Sequence, residues 1–324
     1  MNILLIGAGR MGLRHLRGLT DLGGNVHVVD LRPEVEEEIH SAAEKYQLGS
    51  EIQFHRSLEK VPFEKVKFDG AILSATARGR LERFVEVAGH GIRNVLIEKP
   101  MEQSRTRFRK IIEVARKNNV QVRCDHYRRT LPFFAGLREE GGPFHISVSG
   151  GAFGLAVNGV HWLDFAVWLS QAKKAKMLFG ELDTKPIGSG RGPDFRDFGG
   201  QGLFAFEDGS RLFLSSSAGS SAPVVATITQ PGKLYIIDQE KDLAITYERN
   251  PASSKPAYLY GADYSRKEVS GIERTQLWEI TKRWIRWLKG QGECHLPSLD
   301  EARLGHELLF DLLETSGETL FPIT

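Results

Sequence analysis

The feature that most constrains the fold of this sequence is a glycine-rich turn, GAGRMG at residues 7–12, that follows a short apolar run. The run starts at residue 2 and is too short for a helix, so it is typical of a strand buried on both faces of a parallel sheet. The chain becomes helical after the turn, and a second apolar run at residues 25–30 ends in Asp30. A strand, a glycine turn, a helix and an acidic residue about 20 positions further on together predict a dinucleotide-binding fold.

Each glycine of the turn has its own role in such a fold. Gly7 permits the tight turn, Gly9 lets the backbone approach a pyrophosphate, and Gly12 lets the helix pack closely on the strand. The N–H groups at the start of the helix, at Arg10 and Met11, are expected to bind the diphosphate. The alternative is a structural turn in an unrelated α/β protein.

Four side chains bear on how the dinucleotide would be bound. Asp30 is expected to bind the adenosine ribose hydroxyls and to repel a 2′-phosphate, which favours NAD over NADP as the cofactor. Arg32 could instead clamp a 2′-phosphate, or it could simply cover the adenine. Ser74 and Thr76 end the third clear strand, where a doubly wound sheet places its ligands, so they are either cofactor contacts or part of a plain strand-to-helix turn.

The order of elements changes at about residue 130. Before that point strands alternate with helices, which predicts an α/β fold with an N-terminal Rossmann domain built on a doubly wound parallel sheet. After it, alternating runs joined by turn sequences predict a C-terminal α+β domain with a mainly antiparallel sheet. We therefore expect a dinucleotide-binding domain at residues 1–123 and a second domain at residues 124–324.

Apolar periodicity places the individual elements. In the first part we expect strands at 25–30, 52–55, 68–76, 94–100 and 120–129, and helices at 34–47, 79–91 and 106–119. In the second part we expect a helix at 159–171, hairpins within 202–217 and 224–238, a strand at 243–248, loops at 184–200 and 249–271, and closing helices at 275–290 and 298–317. The last helix starts with Ser298 and Glu301 at capping-box spacing.

Composition and charge exclude several classes of partner. The formal net charge is +2, and the basic segment at 105–117 carries an apolar stripe at helical spacing, so no nucleic-acid interface is expected. No run approaches the ~20 apolar residues of a membrane span, and the start resembles no secretory leader, so no membrane partner is expected. Cys124 and Cys294 lie far apart without metal-ligand spacing, which fits a reducing, cytoplasmic compartment and predicts no metal site.

A second motif, Glu98-Lys99-Pro100, ends the apolar strand at 94–100. Hydrophobicity does not explain a carboxylate and an ammonium at this point. The strand belongs to the same predicted sheet as the glycine turn, so its end faces the same crevice. Pro100 fixes its own φ and biases Lys99 toward an extended conformation, which would aim the ammonium at a fixed place.

Together, GAGRMG, Asp30, the Glu98-Lys99-Pro100 motif and GVHWLD at 159–164 resemble the glucose–fructose oxidoreductase / inositol dehydrogenase (Gfo/Idh/MocA) family. The likeness covers nearly the whole chain. It implies that Lys99 lies beside the nicotinamide and the substrate hydroxyl, where it orients the substrate and assists proton transfer, and that Glu98 also lies at the cofactor. It further implies a second domain that binds substrate and forms a homo-oligomer, a dimer or tetramer, through its sheet.

The resemblance also changes how the 159–171 helix is interpreted. Considered alone, His161 is more often a core histidine, but the matching histidine of the family is a general acid/base on the substrate carbonyl or hydroxyl. Asp164 lies three residues on and either orients His161 or caps local backbone. Tyr127, in the crossover stretch at 124–134, could line the substrate cleft or pack at the domain joint.

The sequence departs from the family pattern at two places. Many members have an acidic residue four positions before the histidine, where this chain has Val157, followed by Asn158. An asparagine can hydrogen-bond a hydroxyl but cannot take its proton, so Lys99 and His161 would share the proton transfer, or the reaction is altered or lost. This variant resembles members tied to polysaccharide and nucleotide-sugar genes. Arg80 stands near a position where the family often has a histidine.

The sequence therefore predicts an NAD(P)-dependent dehydrogenase or reductase acting on the CH–OH group of a sugar, cyclitol or sugar derivative such as a nucleotide sugar. Two alternatives stay open. One is a non-catalytic dinucleotide-binding sensor or accessory subunit, which Val157 favours. The other is an enzyme that reduces an imine or a tetrapyrrole, against which an intact Lys99 and His161 pair argues.

Overall fold

The computed structural model describes residues 1–20, 23–49, 51–256, 258, 263–272 and 275–324. The chain forms two compact units. The first consists of Met1–Thr130, Thr275–Arg303 and Leu320–Thr324, and the second of Leu131–Arg274 and Leu304–Thr319. The sequence-based division at residue 123/124 differs from this one, because it places Thr275–Arg303 and Leu320–Thr324 in the second domain. No described helix is long and apolar enough to cross a membrane.

The first unit is built on a parallel sheet of six strands in the order β3-β2-β1-β4-β5-β6. Its strand order reverses between β1 and β4, as expected for a doubly wound sheet, so the predicted Rossmann fold is confirmed. The strands are β1 (Asn2–Ile6), β2 (Asn25–Val29), β3 (Glu51–His55), β4 (Gly70–Leu73), β5 (Asn94–Ile97) and β6 (Gln121–Cys124). The helices are α1 (Arg10–Arg17), α2 (Val35–Lys45), α3 (Arg80–Gly89) and α4 (Arg105–Lys117).

Burial explains why these segments become strands. β4 is buried along its whole length, and β1 and β5 are buried except at their first residue, which requires continuous apolar runs with no polar face. A closing helix, α7 (Leu277–Leu288), contributes Ile280, Trp284 and Ile285 to the same core cluster as Ile3 of β1. The N-terminal domain therefore depends on residues from near the C-terminal end of the sequence.

The second unit is built on a mixed, mostly antiparallel sheet of eight strands in the order β16-β15-β14-β13-β7-β12-β11-β8. Its neighbouring strands run antiparallel except for β7 and β12, which are parallel. The strands are β7 (His145–Gly150), β8 (Ala175–Leu182), β11 (Gly200–Phe206), β12 (Arg211–Ser216), β13 (Val225–Gln230), β14 (Lys233–Asp238), β15 (Leu243–Arg249) and β16 (Tyr264–Ser270); β9 (Ile187–Gly188) and β10 (Arg196–Asp197) pair separately. Two helices, α5 (Pro132–Glu140) and α6 (Gly159–Ser170), complete the unit together with most of α8 (Leu299–Leu313).

Several elements differ from the sequence prediction. The strand expected at 120–129 ends at Cys124, remains in the sheet as β6, and is followed by a 3₁₀ helix at Tyr127–Thr130. The loop expected at 249–271 contains β16, whose side chains are nearly all exposed and so give no apolar alternation; residues 257 and 259–262 of that loop lie outside the described part. The predicted capping box is confirmed, because Glu301 accepts from the Ser298 N–H at 2.8 Å and its own N–H donates to the Ser298 hydroxyl at 3.3 Å.

Candidate cofactor and catalytic site

The glycine turn joins β1 to α1 at the carboxyl end of the sheet. Gly7 has φ +92°, and a Cβ there would lie 2.4 Å from the Ala75 nitrogen. A Cβ on Gly12 would lie 2.0 Å from the Gly7 carbonyl oxygen, so neither position admits a side chain. Gly9 differs, because a Cβ there would meet only the Arg32 guanidinium, at 3.9 Å. The backbone is therefore closed toward the protein and open at Gly9, which is the cradle a pyrophosphate requires.

Ser74 holds this turn in place. Its hydroxyl lies 2.6 Å from the Gly7 carbonyl oxygen, to which it donates, and its own N–H binds the Ile6 carbonyl at 2.9 Å. The Ser74 side chain is buried, whereas Thr76, two residues on, is half-buried. Ser74 thus fixes the conformation of the glycine turn, while its predicted direct contact with the cofactor stays a prediction.

Asp30 follows β2 and faces the same turn. Its Oδ2 accepts the Ala8 N–H at 2.8 Å, and its Oδ1 accepts both the backbone N–H and the Nε–H of Arg32 at 3.1 Å. Burial alone would raise the pKa of Asp30, but the Arg32 side chain and the two backbone N–H donors lower it. Asp30 is therefore a carboxylate at neutral pH, and Arg32 is engaged with it.

The Lys99-Pro100 peptide bond is cis, and Lys99 is half-buried two residues after the end of β5. The preceding residue, Glu98, turns its carboxylate inward, where Oε1 lies 3.3 Å from Nε2 of His15. The other ring nitrogen of His15 lies 2.8 Å from the Thr281 hydroxyl of α7. Burial alone would raise the pKa of Glu98, but the hydrogen bond and charge of His15 and the positive charges of Lys99 and Arg80 lower it to about 2.

Asp125 is a buried acid that sequence reasoning missed. It follows β6, its N–H binds the Ile97 carbonyl at 3.0 Å, and its Oδ1 has no hydrogen-bond partner among the described residues. Burial and the neighbouring charge of Glu98 raise the pKa of Asp125 well above its usual range. Burial therefore favours the protonated form of Asp125, whereas the neighbouring charges favour the ionised form of Glu98. Ligand atoms of Asp125, Glu98 and His15 lie within 4.8 Å of one another, but Lys99 acts on both carboxyls as a positive charge, which disfavours a metal dication there.

Arg80 begins α3 and is only 2% exposed. Its guanidinium donates to the backbone carbonyl of Ala75, which follows β4. It also donates to the carbonyls of Glu98 and Pro100, which follow β5 and flank Lys99. The sequence placed Arg80 near a family histidine but gave no sign of these contacts, because they join positions 5 to 20 residues apart.

In the second unit, the sequence motif at 157–164 forms the start of α6. His161 is 8% exposed, and its N–H binds the Asn158 carbonyl at 3.1 Å. Asn158 is exposed at the N-cap, and its side-chain amide donates to the Phe153 carbonyl. Asp164 is buried one turn further on, where Gly305 of α8 packs so closely that a Cβ would lie 3.1 Å from the Asp164 nitrogen.

The segment before α6 is fixed by Asp197, which sequence reasoning missed because 184–200 carried no recognisable motif. Oδ1 of Asp197 accepts the N–H groups of Ala156 at 2.8 Å and Phe198 at 2.7 Å, and Oδ2 accepts that of Val157 at 3.1 Å. A carboxylate therefore lies next to position 157, where many family members have an acidic side chain, but it binds the backbone N–H of Val157. Hydrogen bonds of this kind hold Asp197 in a structural role.

Tyr127 lies in the 3₁₀ helix after β6, in the first unit. It is partly buried, packs against the hydrophobic core of that unit, and has the Arg128 guanidinium 5.0 Å from its ring centroid. Its predicted role as a substrate contact stays a prediction. The structure thus groups the glycine turn, Asp30, Ser74 and Lys99 at the carboxyl end of one sheet, and Asn158, His161 and Asp164 at the start of one helix in the other unit.

Comparison with known proteins agrees with the fold of both units. Residues 1–126 match the model of the GFO_IDH_MocA oxidoreductase family with an NAD-binding Rossmann fold, which confirms the resemblance found in the sequence motifs. No curated protein sequence matches the chain.

Solved structures match over nearly the whole length. UDP-N-acetylglucosamine 3-dehydrogenase GnnA from Acidithiobacillus ferrooxidans is 15% identical, with TM-score 0.70 and coverage of 97% of this chain and 96% of its own. An oxidoreductase from Agrobacterium radiobacter in complex with NAD+, L-tartaric acid and magnesium is 14% identical (TM-score 0.70, coverage 98% and 96%). GenD2 from gentamicin A biosynthesis, in complex with NAD, is 18% identical (TM-score 0.67, coverage 98% and 94%). At these identities the likeness establishes the fold alone.

Proposed function

We propose that the protein is an oxidoreductase that transfers hydride between NAD and a carbinol or carbonyl carbon of a sugar, cyclitol or sugar derivative, nucleotide sugars included. The match of residues 1–126 to the Gfo/Idh/MocA oxidoreductase family supports this proposal. The observation that carries this proposal is the convergence of three features at the carboxyl ends of one sheet. These are the open backbone at Gly9, the ionised Asp30 and the strand-end Lys99.

The chain's own groups fit a dinucleotide. The first N–H groups of α1 have no intrahelical acceptor and would bind the diphosphate together with the open backbone at Gly9. Asp30 would accept the ribose hydroxyls, since its carboxylate is ionised beside them. The nicotinamide, when bound, accepts or supplies the hydride.

Preference for NAD over NADP is part of the proposal. A 2′-phosphate would have to approach the Asp30 carboxylate, and the Arg32 guanidinium that could attract it already donates to that carboxylate through Nε and Nη2, each at 3.1 Å. Binding NADP would therefore require breaking this ion pair or accepting a phosphate beside it. Half of the Arg32 side chain is exposed, so some NADP binding is compatible with the arrangement.

Two side chains would manage the hydroxyl proton. Lys99 would donate a hydrogen bond to the substrate oxygen and stabilise negative charge on it, and His161 would take or return its proton. Asn158 and Asp164, beside His161 on the same helix, would contact substrate hydroxyls and orient the imidazole. The sugar class is supported by the Asn158-x-x-His161 pattern and by the structural similarity to UDP-N-acetylglucosamine 3-dehydrogenase GnnA.

The first test is the absorbance and fluorescence of the protein as purified, followed by NADH and NADPH titrations and a panel of sugars, polyols and sugar nucleotides monitored at 340 nm. We expect tighter binding of NADH than of NADPH and turnover on at least one member of the panel. Tighter binding of NADPH would contradict the assignment of Asp30.

A second candidate function is a dinucleotide-binding sensor or accessory subunit without turnover. Val157 favours it, since the side chain that would assist proton transfer in many relatives is absent there. NADH binding combined with no turnover on a broad panel would select the sensor. In either case we propose a homo-oligomer formed through the eight-stranded sheet, and a monomer at micromolar concentration in size-exclusion light scattering would contradict this.

A further inference from the structure

The proposed role of Lys99 requires the backbone at this residue to be held in one position. Strand β5 ends at Ile97, so the backbone of Glu98, Lys99 and Pro100 has left the β-ladder. Glu98 keeps one such contact, from its N–H to the Leu73 carbonyl at 3.1 Å. The carbonyls of this turn need other donors, because buried carbonyl groups are rarely left without a partner.

Arg80 supplies those donors. Its Nη1 lies 2.6 Å from the Glu98 carbonyl oxygen and also donates to the Pro100 carbonyl. Nη1 carries two N–H groups, so it can serve both acceptors at once. The two carbonyls belong to the residues immediately before and after Lys99, and the lysine backbone is therefore bracketed by one nitrogen atom.

The other terminal nitrogen of Arg80 binds the neighbouring loop. Nη2 lies 2.5 Å from the carbonyl oxygen of Ala75. Ala75 packs directly against Gly7 of the pyrophosphate turn, whose missing Cβ would lie 2.4 Å from the Ala75 nitrogen. A single planar guanidinium thus ties the Lys99 turn to the loop that supports the cofactor cradle, and planarity fixes the geometry between them.

The anchoring point of Arg80 is itself fixed. Arg80 is the first residue of α3, and the next residue, Leu81, donates its N–H to the buried Glu102 carboxylate at 2.8 Å. Glu102 lies two residues beyond Pro100, so the start of α3 and the Lys99 turn are joined in both directions. The charges of Glu98 and Glu102 favour the guanidinium, and although burial lowers the pKa of Arg80 to about 10, it stays cationic at neutral pH.

We propose that Arg80 is a positioning residue, whose guanidinium holds Lys99 at a fixed distance from the cofactor cradle by binding the carbonyls of Ala75, Glu98 and Pro100. The expected effect on turnover rests on the proposed role of Lys99. The three hydrogen bonds themselves, which we call the Arg80 clamp, do not depend on that role. Arg80 touches neither substrate nor cofactor in this assignment and acts through Lys99.

The test uses the full chain with Arg80→Met, which removes all three hydrogen bonds, and Arg80→Lys, which keeps the buried charge but has a single nitrogen. Arg83→Met is the matched control, because Arg83 is an arginine of the same helix that binds a carbonyl outside the Lys99 turn, that of Arg78 at 2.7 Å. Backbone hydrogen exchange of residues 97–103 is measured together with NADH affinity and turnover.

We expect faster exchange at 97–103 in both Arg80 variants and unchanged exchange in α4. NADH affinity should change by less than about threefold, while kcat falls about 10²-fold for Arg80→Met and about 10-fold for Arg80→Lys, since a misplacement of about 1 Å can cost 10²-fold in rate. Arg83→Met should match the wild type in all three measurements.

Unchanged exchange at 97–103 in the Arg80 variants would overturn the clamp. A lower melting temperature with exchange rising throughout the unit, and with normal kcat for the folded fraction, would show a merely structural role and would also overturn the proposal. If Arg80→Met does not fold, Arg80→Lys with wild-type exchange and kcat overturns it. A wild type without turnover would reject the proposed enzyme while the exchange result still decides the clamp.

Discussion

Two segments of the molecule, one in each unit, are held by a buried ionic side chain with opposite polarity. In the first unit the Arg80 cation binds three backbone carbonyls, two of which flank Lys99. In the second unit the Asp197 carboxylate binds three backbone N–H groups, two of them in the segment before His161. Each therefore fixes the chain next to a predicted catalytic residue where no strand or helix does so.

The difference between the two lies in what is left when the ion is removed. A carbonyl has two lone pairs and tolerates incomplete hydrogen bonding, whereas a buried N–H without a partner is rare. Losing Arg80 should thus disturb position more than stability, and losing Asp197 should disturb stability more. Arg80 also lies between two loops at the carboxyl end of the sheet, while Asp197 binds the backbone of residues 156 and 157 and of its own neighbour Phe198.

The largest expected effect sharpens the functional half of this comparison. Lys99→Ala should lower turnover by about 10²-fold or more, because the substrate oxygen loses its positioned cation. If Arg80 acts through Lys99, Arg80→Lys should have almost no further effect in the Lys99→Ala background, as a double-mutant cycle would show. Lys110→Ala, at an exposed ion pair with Glu113, serves as the control.

Near-normal turnover of Lys99→Ala would remove Lys99 from the mechanism. Additive losses in the double variant would instead separate Arg80 from Lys99, and would place the effect of Arg80 elsewhere in the unit.

The next effect concerns stability in the second unit. Asp197→Ala leaves the N–H groups of Ala156, Val157 and Phe198 without their acceptor, and should cost about 3 kcal/mol in the free energy of unfolding. A loss of that size corresponds to a fall of about 8 °C in melting temperature. Asp197→Asn, which keeps one carbonyl oxygen, should lose less, and Lys185→Ala, at an exposed side chain of the 184–200 stretch, should lose almost nothing.

The comparison breaks if Asp197→Ala melts like the wild type, or if Arg80→Lys is the less stable of the two. Either result would mean that the loss of stability does not depend on whether the buried ion binds carbonyl or N–H groups.

Both clamps also show where sequence reasoning reaches its limit. The glycine turn, Asp30 and the Glu98-Lys99-Pro100 motif could be predicted because local chemistry and strand order place them: each immediately follows a buried strand. Arg80 and Asp197 could not, since their partners lie up to 20 and 41 residues away. The inward turn of Glu98 toward His15 is likewise long-range, spanning 83 residues.

The missed fold elements have a related cause. β8 and β16 present many exposed side chains, so hydrophobic alternation is weak there. α7 was predicted as a helix, but periodicity gives no information about which domain a helix joins. Its Trp284 and Ile280 pack in the core of the first unit, which only the folded chain reveals.

The smallest expected effect concerns the pH dependence of stability at a third place, which lies in the first unit and contains two stacked histidines. His27 of β2 and His55 of β3 stack with ring centroids 5.2 Å apart and ring nitrogens 3.0 Å apart. Burial lowers the pKa of both rings below 6.5, and the charge of His55 lowers that of His27 further. Glu98, by contrast, stays ionised down to about pH 2, so acid should affect this sheet edge before the Lys99 turn.

Because the folded pKa values are lowered, the unfolded chain binds more protons below pH 6.5, and stability rises with pH through that window. The contribution is present above pH 6.5 and is lost as the pH falls toward the folded values. We expect the melting temperature to drop between pH 7 and pH 5, and His55→Gln to flatten that slope, whereas His40→Gln, on an exposed position of α2, should not. If His55→Gln has the same slope as the wild type, this histidine pair is not the cause of the acid sensitivity. If backbone hydrogen exchange at residues 97–103 becomes faster at pH 5, the Lys99 turn is as sensitive to acid as the sheet edge.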